Sequence, residues 1–186
     1  IILDSEIENL KVAPSNIGLV GIEIEFYKNT KERELVLKRK IDPIKKDFDY
    51  IIIDSPPALG PITINTLSAS TSVLIPIQCE FFALEGLAQL LNTIKLVKQT
   101  INQGLQIRGF LPTMYSSQNN LSKQVFADLA QHFESKLFKI DDDSYVVIPR
   151  NVKLAESPSF GKPIMLYDTN SSGTKAYTNL ARAIAG

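Results

Sequence analysis

The chain has 186 residues, of which 44% are hydrophobic and 22% are charged, a composition typical of a globular domain with a full core. Twenty basic residues balance twenty acidic ones, so the net charge does not argue for nucleic acid and any basic patch must be local. One cysteine, Cys79, excludes an internal disulfide, and no apolar run reaches the roughly 18 residues of a transmembrane helix.

The first quarter of the sequence predicts a short strand followed by two helices. The strand covers 10–16 and stops at Pro14, and a helix over 15–27 follows it with Ser15 or Asn16 as its cap. A charged helix over 30–48 is capped by Thr30, and Pro43 breaks or restarts it.

From residue 50 onward, apolar runs alternate with amphipathic segments. "YIIID", 50–54, is a continuous β-branched run, which predicts a strand covered on both faces. The elements that follow are a helix over 61–69 with Pro61 in its first turn, a strand over 72–78, a helix over 82–101, a strand over 105–113 and a helix over 120–134. Two short segments, 135–139 and 145–149, flank an acidic turn, and a helix over 173–185 closes the chain.

This alternation predicts an α/β fold, a mostly parallel sheet with helices on both faces, built as one domain over 1–186. Ligands of such sheets bind beyond the carboxyl ends of the strands. Three strand ends carry suggestive residues, namely Asp54, the segment 112–115 and the segment 149–151. We expect all three along one edge of the sheet.

Asp54 is the candidate for metal chemistry. A carboxylate at a strand end can hold a magnesium-bound water and orient phosphate chemistry. The alternative is a structural aspartate that caps the next helix or bonds the following turn. The stiff proline pair and Gly60 favour the first interpretation, because they form a turn with one permissive hinge suited to sensing a phosphate.

The sequence contains no phosphate loop. "GLQIRGFL", 104–111, has suitable glycine spacing, but Phe110 and Leu111 stand where lysine and Ser/Thr are required, and it leads into a strand. Gly161 and Lys162 lack an upstream glycine partner and precede a proline. His132 lies in an amphipathic helix and is interpreted as structural, and Cys79 has no histidine nearby in sequence to activate it.

Several segments together resemble the ParA/Soj family of chromosome and plasmid partition ATPases. They are "FDYIIIDSPPALGPITINTLSASTSVLIPIQCEFFALEGLAQLLNTIKLV", "GFLPTMYSSQNNLSKQV" and "VIPRNVKLAESPSFGKPIMLYD", in the family's order. The resemblance covers nearly the whole chain. It implies a P-loop NTPase fold of the ParA/MinD type, truncated at its N-terminus so that the first strand and the phosphate loop are missing.

The resemblance also implies a function. Such proteins bind ATP or ADP with Mg²⁺, form an ATP-driven homodimer on non-specific DNA of the nucleoid, and respond to a ParB-like partner. Asp54 matches the aspartate that acts on magnesium through water, and Gly60 falls in the second switch. The segment that lies beside adenine corresponds to Thr113 and Met114. The loop that packs on adenine corresponds to Pro149, Arg150 and Asn151.

Two departures from the family pattern affect these expectations. The phosphate loop and its lysines are absent, so we expect the chain alone not to hydrolyse ATP. Asn170 and Ser172 stand where relatives often carry arginines, which puts one DNA contact in doubt. Lys136, Lys139 and Lys153 remain as DNA candidates, with a solvated surface lysine as the alternative for each.

Two other functions stay open at this point. A MinD-like positioning ATPase would keep the fold but requires an amphipathic membrane helix at the C-terminus, where the tail offers only Lys175 and Arg182. A module that has lost ATP binding would keep only protein contacts. The leading hypothesis predicts a cytoplasmic, nucleoid-associated protein without stable membrane insertion.

Overall fold

The computed structural model describes residues 1–16, 18–19, 21–22, 26, 32–56, 60–81, 83–142 and 144–186. They group into two compact units. Ile1–Ser70 and Gln99–Gln103 form the first, and Thr71–Lys98 and Gly104–Gly186 form the second. The organisation as one domain over 1–186 stays a prediction.

Short helical elements make up much of the described first unit. They are two 3-10 turns, Arg33–Leu35 and Lys45–Asp47, helix α1 over Val36–Ile41 and helix α2 over Pro61–Ala69. Pro43 lies between α1 and the second 3-10 turn, so the break predicted at this proline is confirmed. In the helix predicted over 15–27, Leu19, Gly21, Ile22 and Phe26 are helical, and residues 17, 20, 23–25 and 27 lie outside the described residues, as does the predicted cap Thr30.

Two asparagine side chains connect the backbone segments of this unit. Asn65 of α2 is buried; its amide donates to the carbonyl oxygens of Arg33 and Pro61, and its oxygen accepts from the Leu37 N–H. The Asn102 amide lies within hydrogen-bond distance of three carbonyl oxygens at the end of α2, those of Leu67, Ser68 and Ser70. These bonds satisfy carbonyl groups that a helix end leaves without partners.

The strand predictions for the first unit are largely wrong. Strands β1, Leu3–Asp4, and β2, Lys11–Val12, form a two-residue antiparallel pair, so the predicted strand over 10–16 shrinks to two residues. The predicted buried strand over 50–54 is not a strand, and Ile52 is 92% exposed. Among the described residues no neighbouring segment pairs with its backbone, and pairing is what turns an extended run into a strand.

The second unit contains the predicted parallel pairing. Strand β3, Ser72–Gln78, and strand β4, Gln106–Thr113, run parallel, with α3, Ala83–Thr100, between them in sequence. Val73 pairs with Ile107 and Leu74 with Gly109, so Arg108 is an extra residue, a β-bulge. The α/β fold with a parallel sheet is confirmed.

The rest of this unit follows β4 in sequence. Its helices are α4 over Asn120–Phe133, α5 over Val152–Glu156, α6 over Ile164–Tyr167 and α7 over Ser172–Ala185, with 3-10 turns at Glu134–Lys136 and Ser157–Phe160. Helices α4 and α7 match their predicted ranges to within one residue. The short helices α5 and α6 were not predicted, because segments of four or five residues carry too little periodicity.

One hydrophobic cluster forms the core beside β4. Its buried members come from β4, from the segments on both sides of the acidic turn, and from α7; they are Leu111, Phe138, Val146, Ile148 and Leu180.

The flanking segments 135–139 and 145–149 join the strands through single bridges, Phe110 to Leu137 and Tyr115 to Pro149, both parallel. The loop after the second flanking segment is thereby held at the end of β4.

Candidate functional site

Two of the three predicted strand-end segments lie side by side. The Ile148 N–H donates to the Pro112 carbonyl at 2.8 Å and the Tyr115 N–H donates to the Ile148 carbonyl at 3.1 Å. The Arg150 N–H donates to the Tyr115 carbonyl at 2.9 Å. These alternating bonds fix the loop that begins at Pro149 against Thr113 and Met114, so the predicted neighbourhood of these residues is confirmed within the second unit.

Met114 has a left-handed backbone, with φ of 54°. This region is uncommon for residues other than glycine, and holding one there costs on the order of 1 kcal/mol or more. The turn lies where β4 ends and allows Tyr115 to leave β3 and pair with the segment before Pro149. Strained backbone of this kind concentrates at functional sites, which supports a role for this corner.

The Asn151 side chain is already engaged by the protein. Its oxygen accepts from the Lys153 N–H at 2.7 Å, capping α5, and its amide donates to the Ser172 hydroxyl at 2.7 Å. The Ser172 hydroxyl therefore has an internal partner.

Arg150 and Glu80 form an ion pair that joins this loop to the residue two positions beyond β3. Both side chains line a cavity of about 660 Å³ at the carboxyl end of β3. Its other polar lining includes Gln78, Asn119 and Ser122. In the described part of the chain, Thr113, Met114, Pro149 and Asn151 do not line it, so Arg150 is the one predicted residue that faces this space.

The amino end of α4 borders the same cavity. Asn119 caps the helix by accepting from the Leu121 N–H at 2.9 Å, and the Ser122 hydroxyl donates to the Cys79 carbonyl at 3.1 Å. Both bonds are structural, and they turn the positive end of a 14-residue helix towards the cavity. Burial raises the pKa of the Cys79 thiol to about 11, so a thiolate is disfavoured here.

Asp54 and Gly60 belong to the first unit. Asp54 is exposed, and no bond from another described residue occupies its carboxylate. Gly60 precedes α2 with an extended backbone, and its carbonyl accepts from the Ile64 N–H at 3.1 Å. The residue after Asp54, Ser55, has its hydroxyl 3.1 Å from the Thr66 hydroxyl of α2. Residues 57–59 lie outside the described set.

An available carboxylate fits the magnesium role assigned by resemblance. Mg²⁺ keeps several waters and uses one or two carboxylates together with phosphate oxygens rather than a complete protein cage. Among the residues that the structure describes, no group of three or more His, Cys, Asp or Glu side chains could hold a metal. Asp54 would therefore hold the ion through water, with the nucleotide supplying the other oxygens.

The three DNA-candidate lysines lie in different local environments. The Lys136 ammonium donates to the Ile107 carbonyl at 3.1 Å, and the Lys139 ammonium lies 5.5 Å from the centre of the Tyr145 ring. Lys153 pairs with Glu156 at 3.1 Å, and this bond raises the pKa of Lys153. Its charge is partly neutralised locally, so Lys153 presents less free charge to phosphates than its sequence position suggests.

Glu80, Asn119 and Ser122 are the site residues that the sequence prediction missed. Glu80 carries a signal like that of Asp54, because each carboxylate lies at or just beyond the end of an apolar run, 72–78 for Glu80 and 50–53 for Asp54. Asn119 and Ser122 carry no such signal. Their position depends on how α4 packs beside the end of β3.

Comparison with known proteins first defines the class. A family model described as an AAA domain matches residues 1–107. A solved structure, cobyrinic acid a,c-diamide synthase from Mycobacterium smegmatis with bound ADP and magnesium, is similar with a TM-score of 0.77 and 33% identity, covering 99% of this chain and 64% of that one. The fold is therefore that of an α/β nucleotide-binding domain.

The sequence relatives identify the family within this class. Sporulation initiation inhibitor protein Soj of Bacillus subtilis is 50% identical over 185 residues, covering 100% of this chain and 70% of Soj. Chromosome partitioning protein ParA of Myxococcus xanthus is 46% identical over 180 residues, covering 97% of this chain and 61% of ParA. The chain belongs to the ParA/Soj family of chromosome-partitioning ATPases, and it spans about two thirds of the length of these curated relatives.

Proposed function

We propose that this chain is the part of a ParA-type partition ATPase that carries the magnesium carboxylate and the nucleotide-base loop. The observation that carries this proposal is the 50% identity with Soj along essentially the whole chain. The solved relative that binds ADP and magnesium supports ATP or ADP and Mg²⁺ as the ligands. The cargo class is DNA, chromosomal or plasmid.

The proposed roles fall on residues of each unit. Asp54 holds the magnesium ion through water, and Gly60 lets the second switch move with the state of the nucleotide. In the second unit, Thr113 and Met114 lie beside the base, and the loop of Pro149, Arg150 and Asn151 packs on it. The hydrogen bonds between Tyr115 and that loop support this assignment, because they hold both halves of a base-binding corner together.

The 186-residue chain alone is expected not to hydrolyse ATP. Its sequence has no phosphate loop, and losing the donors that stabilise developing phosphate charge typically costs about a hundredfold or more in rate. Phosphate release by this chain with magnesium and ATP should therefore stay at background. Magnesium-dependent turnover by the purified 186-residue chain would contradict this.

In the complete protein, Asp54→Asn should lower turnover by about a hundredfold while ATP still binds, because the amide holds magnesium water poorly. Asp142→Asn, an exposed aspartate of the acidic turn, is the matched control and should leave the rate unchanged. Equal rates in the two variants would show that Asp54 has no role in the magnesium chemistry.

The DNA-bound state is proposed to be an ATP-driven homodimer regulated by a ParB-like partner, in the cytoplasm and on the nucleoid. No helix among the described residues combines the length and apolar character that crossing a membrane requires. Lys136 and Lys139 are proposed as DNA contacts, with Lys153 as a weaker one because of its bond to Glu156.

Charge reversal tests the DNA contacts in the complete protein. Lys136→Glu with Lys139→Glu should weaken binding and flatten its logarithmic salt dependence by about one unit per lost phosphate contact. Lys123→Glu on α4 is the control. Binding measured by fluorescence anisotropy across a salt series should separate them, and an unchanged slope in the double variant would exclude both lysines.

A further inference from the structure

A second depression lies where β3 and β4 begin, at the opposite ends of these strands from the candidate site. Its volume is about 400 Å³, and all of its lining residues belong to the second unit. Most of the lining side chains are polar, namely Thr71, Ser72, Gln106, Arg108 and Lys136. No acidic residue of the described chain lines it.

Two cations of this depression keep unused donors. The Arg108 guanidinium donates to the Ile184 carbonyl at 2.6 Å, and the Lys136 ammonium donates to the Ile107 carbonyl at 3.1 Å. A guanidinium has five N–H donors and an ammonium has three. Within the described part of the chain, neither forms an ion pair with a carboxylate, although the protein as a whole is neutral.

Two backbone features bring these cations to one place. Arg108 is the extra residue of the β-bulge, and bulges redirect the side chain that they insert. At the next residue, Gly109, an added Cβ would lie only 2.7 Å from the Lys136 carbonyl oxygen. The bare glycine thus lets the backbone at Lys136 approach β4, from which its side chain reaches back to Ile107.

We infer that this depression binds an oxyanion, specifically the phosphate of a phosphorylated ligand. Phosphate oxygens accept charge-assisted bonds from guanidinium and ammonium groups, and the hydroxyls of Thr71 and Ser72 add neutral donors. The volume exceeds that of one phosphate, so part of an attached group also fits. The phosphate belongs either to a small phosphoester or to a DNA backbone.

This inference does not rest on ATP hydrolysis by the protein. It shares only Lys136 with the proposed DNA contacts, and Arg108 was not among the residues predicted from sequence. An absence of ATPase activity in the complete protein would therefore leave it untouched, and a failed phosphate titration would leave the proposed ATPase untouched.

The test is an amide NMR titration of the complete protein with inorganic phosphate, at constant ionic strength against chloride. Saturable shifts are expected at Ser72, Gln106 and Lys136. Lys136→Gln should weaken phosphate binding about tenfold, as expected for a lost charged hydrogen bond, and Arg108→Gln should do the same. Lys123→Gln, whose side chain lies outside the depression, should leave the titration unchanged.

Arg108 also bonds the end of α7, so the amide spectrum of Arg108→Gln is used to check that this variant folds. If the spectrum shows misfolding, the test rests on Lys136→Gln. A short DNA duplex provides the second arm. Competition between duplex and phosphate at these amides assigns the site to backbone phosphates, and phosphate binding without competition assigns it to a small phosphoester. No saturable shift, or shifts that persist in Lys136→Gln, would overturn the inference.

Discussion

Cys79 of the second unit illustrates how burial alone sets the chemistry of a side chain. It is 1% exposed at the end of β3, and burial raises the pKa of its thiol to about 11 from an ordinary 9.0. At pH 8 the thiolate population is therefore about a hundredfold lower in the folded chain than in the unfolded chain. Alkylation by iodoacetamide should be at least that much slower without urea than with it. Equal rates would show that the thiol is accessible and ionised.

The same pKa difference gives stability a pH dependence. Between pH 9 and 11 the unfolded thiol has lost its proton and the folded one has kept it, so the folded state binds more protons. The free energy of unfolding therefore falls as pH rises through this window, and the contribution is fully present below pH 9. Cys79→Ala, compared by urea unfolding at pH 8 and pH 10, should remove this part of the decline.

Individual site residues were predictable to different degrees. Thr113 with Met114, and Pro149 with Arg150, follow apolar runs, and parallel topology brings such ends together, so their proximity could be predicted. The partners of the Arg150 and Asn151 side chains could not be predicted. The ion pair of Arg150 with Glu80 and the capping by Asn151 depend on side-chain rotamers and loop packing, which a single sequence does not determine.

At the level of elements, Gly109 determines how the segment after α4 packs on β4. A Cβ at this position would lie 2.7 Å from the Lys136 carbonyl oxygen and 2.8 Å from the Phe138 ring. Because one neighbour is backbone, Gly109→Ala should cost about 1–3 kcal/mol in the free energy of unfolding. Gly86→Ala in α3, where nothing lies within 4 Å of the new Cβ, is the matched control.

Gly86→Ala is expected to stabilise by up to about 1 kcal/mol, because alanine is the better helix former. Urea unfolding midpoints compare the two variants directly. A Gly109→Ala chain as stable as the unsubstituted chain would mean that the segment 136–138 yields without cost. The phosphate titration of this variant also bears on the depression, since Lys136 must move when the new methyl group enters.

Element boundaries show where sequence patterns carry enough information. Helix α3 has 18 residues, and its buried Leu87, Ile94 and Val97 repeat at helical spacing, so it was predictable. The run at 50–54 is rich in β-branched residues, which favour strands, but it is not a strand. Strand formation needs a partner backbone, and composition reports only the tendency to be buried, not whether a partner is present.

For the whole molecule, the exposed apolar run at 50–52 is an unfavourable surface. Tyr50 is 60% exposed and Ile52 is 92% exposed, and their backbone has no strand partner among the described residues. An apolar segment with free backbone groups is a template for pairing with another chain. We therefore expect the 186-residue chain to associate with itself as its concentration rises through the micromolar range.

Light scattering with size-exclusion chromatography measures this association. Ile52→Glu should lower the weight-average mass towards that of the monomer, because a charge on the exposed run opposes pairing of two copies. Ile140→Glu is the control, since Ile140 is also exposed, at 50%, but lies beside the acidic turn rather than on the unpaired run. A monomer at every concentration would show that these exposed residues do not drive association, and an equal effect of both variants would point to general charge repulsion instead of the run at 50–52.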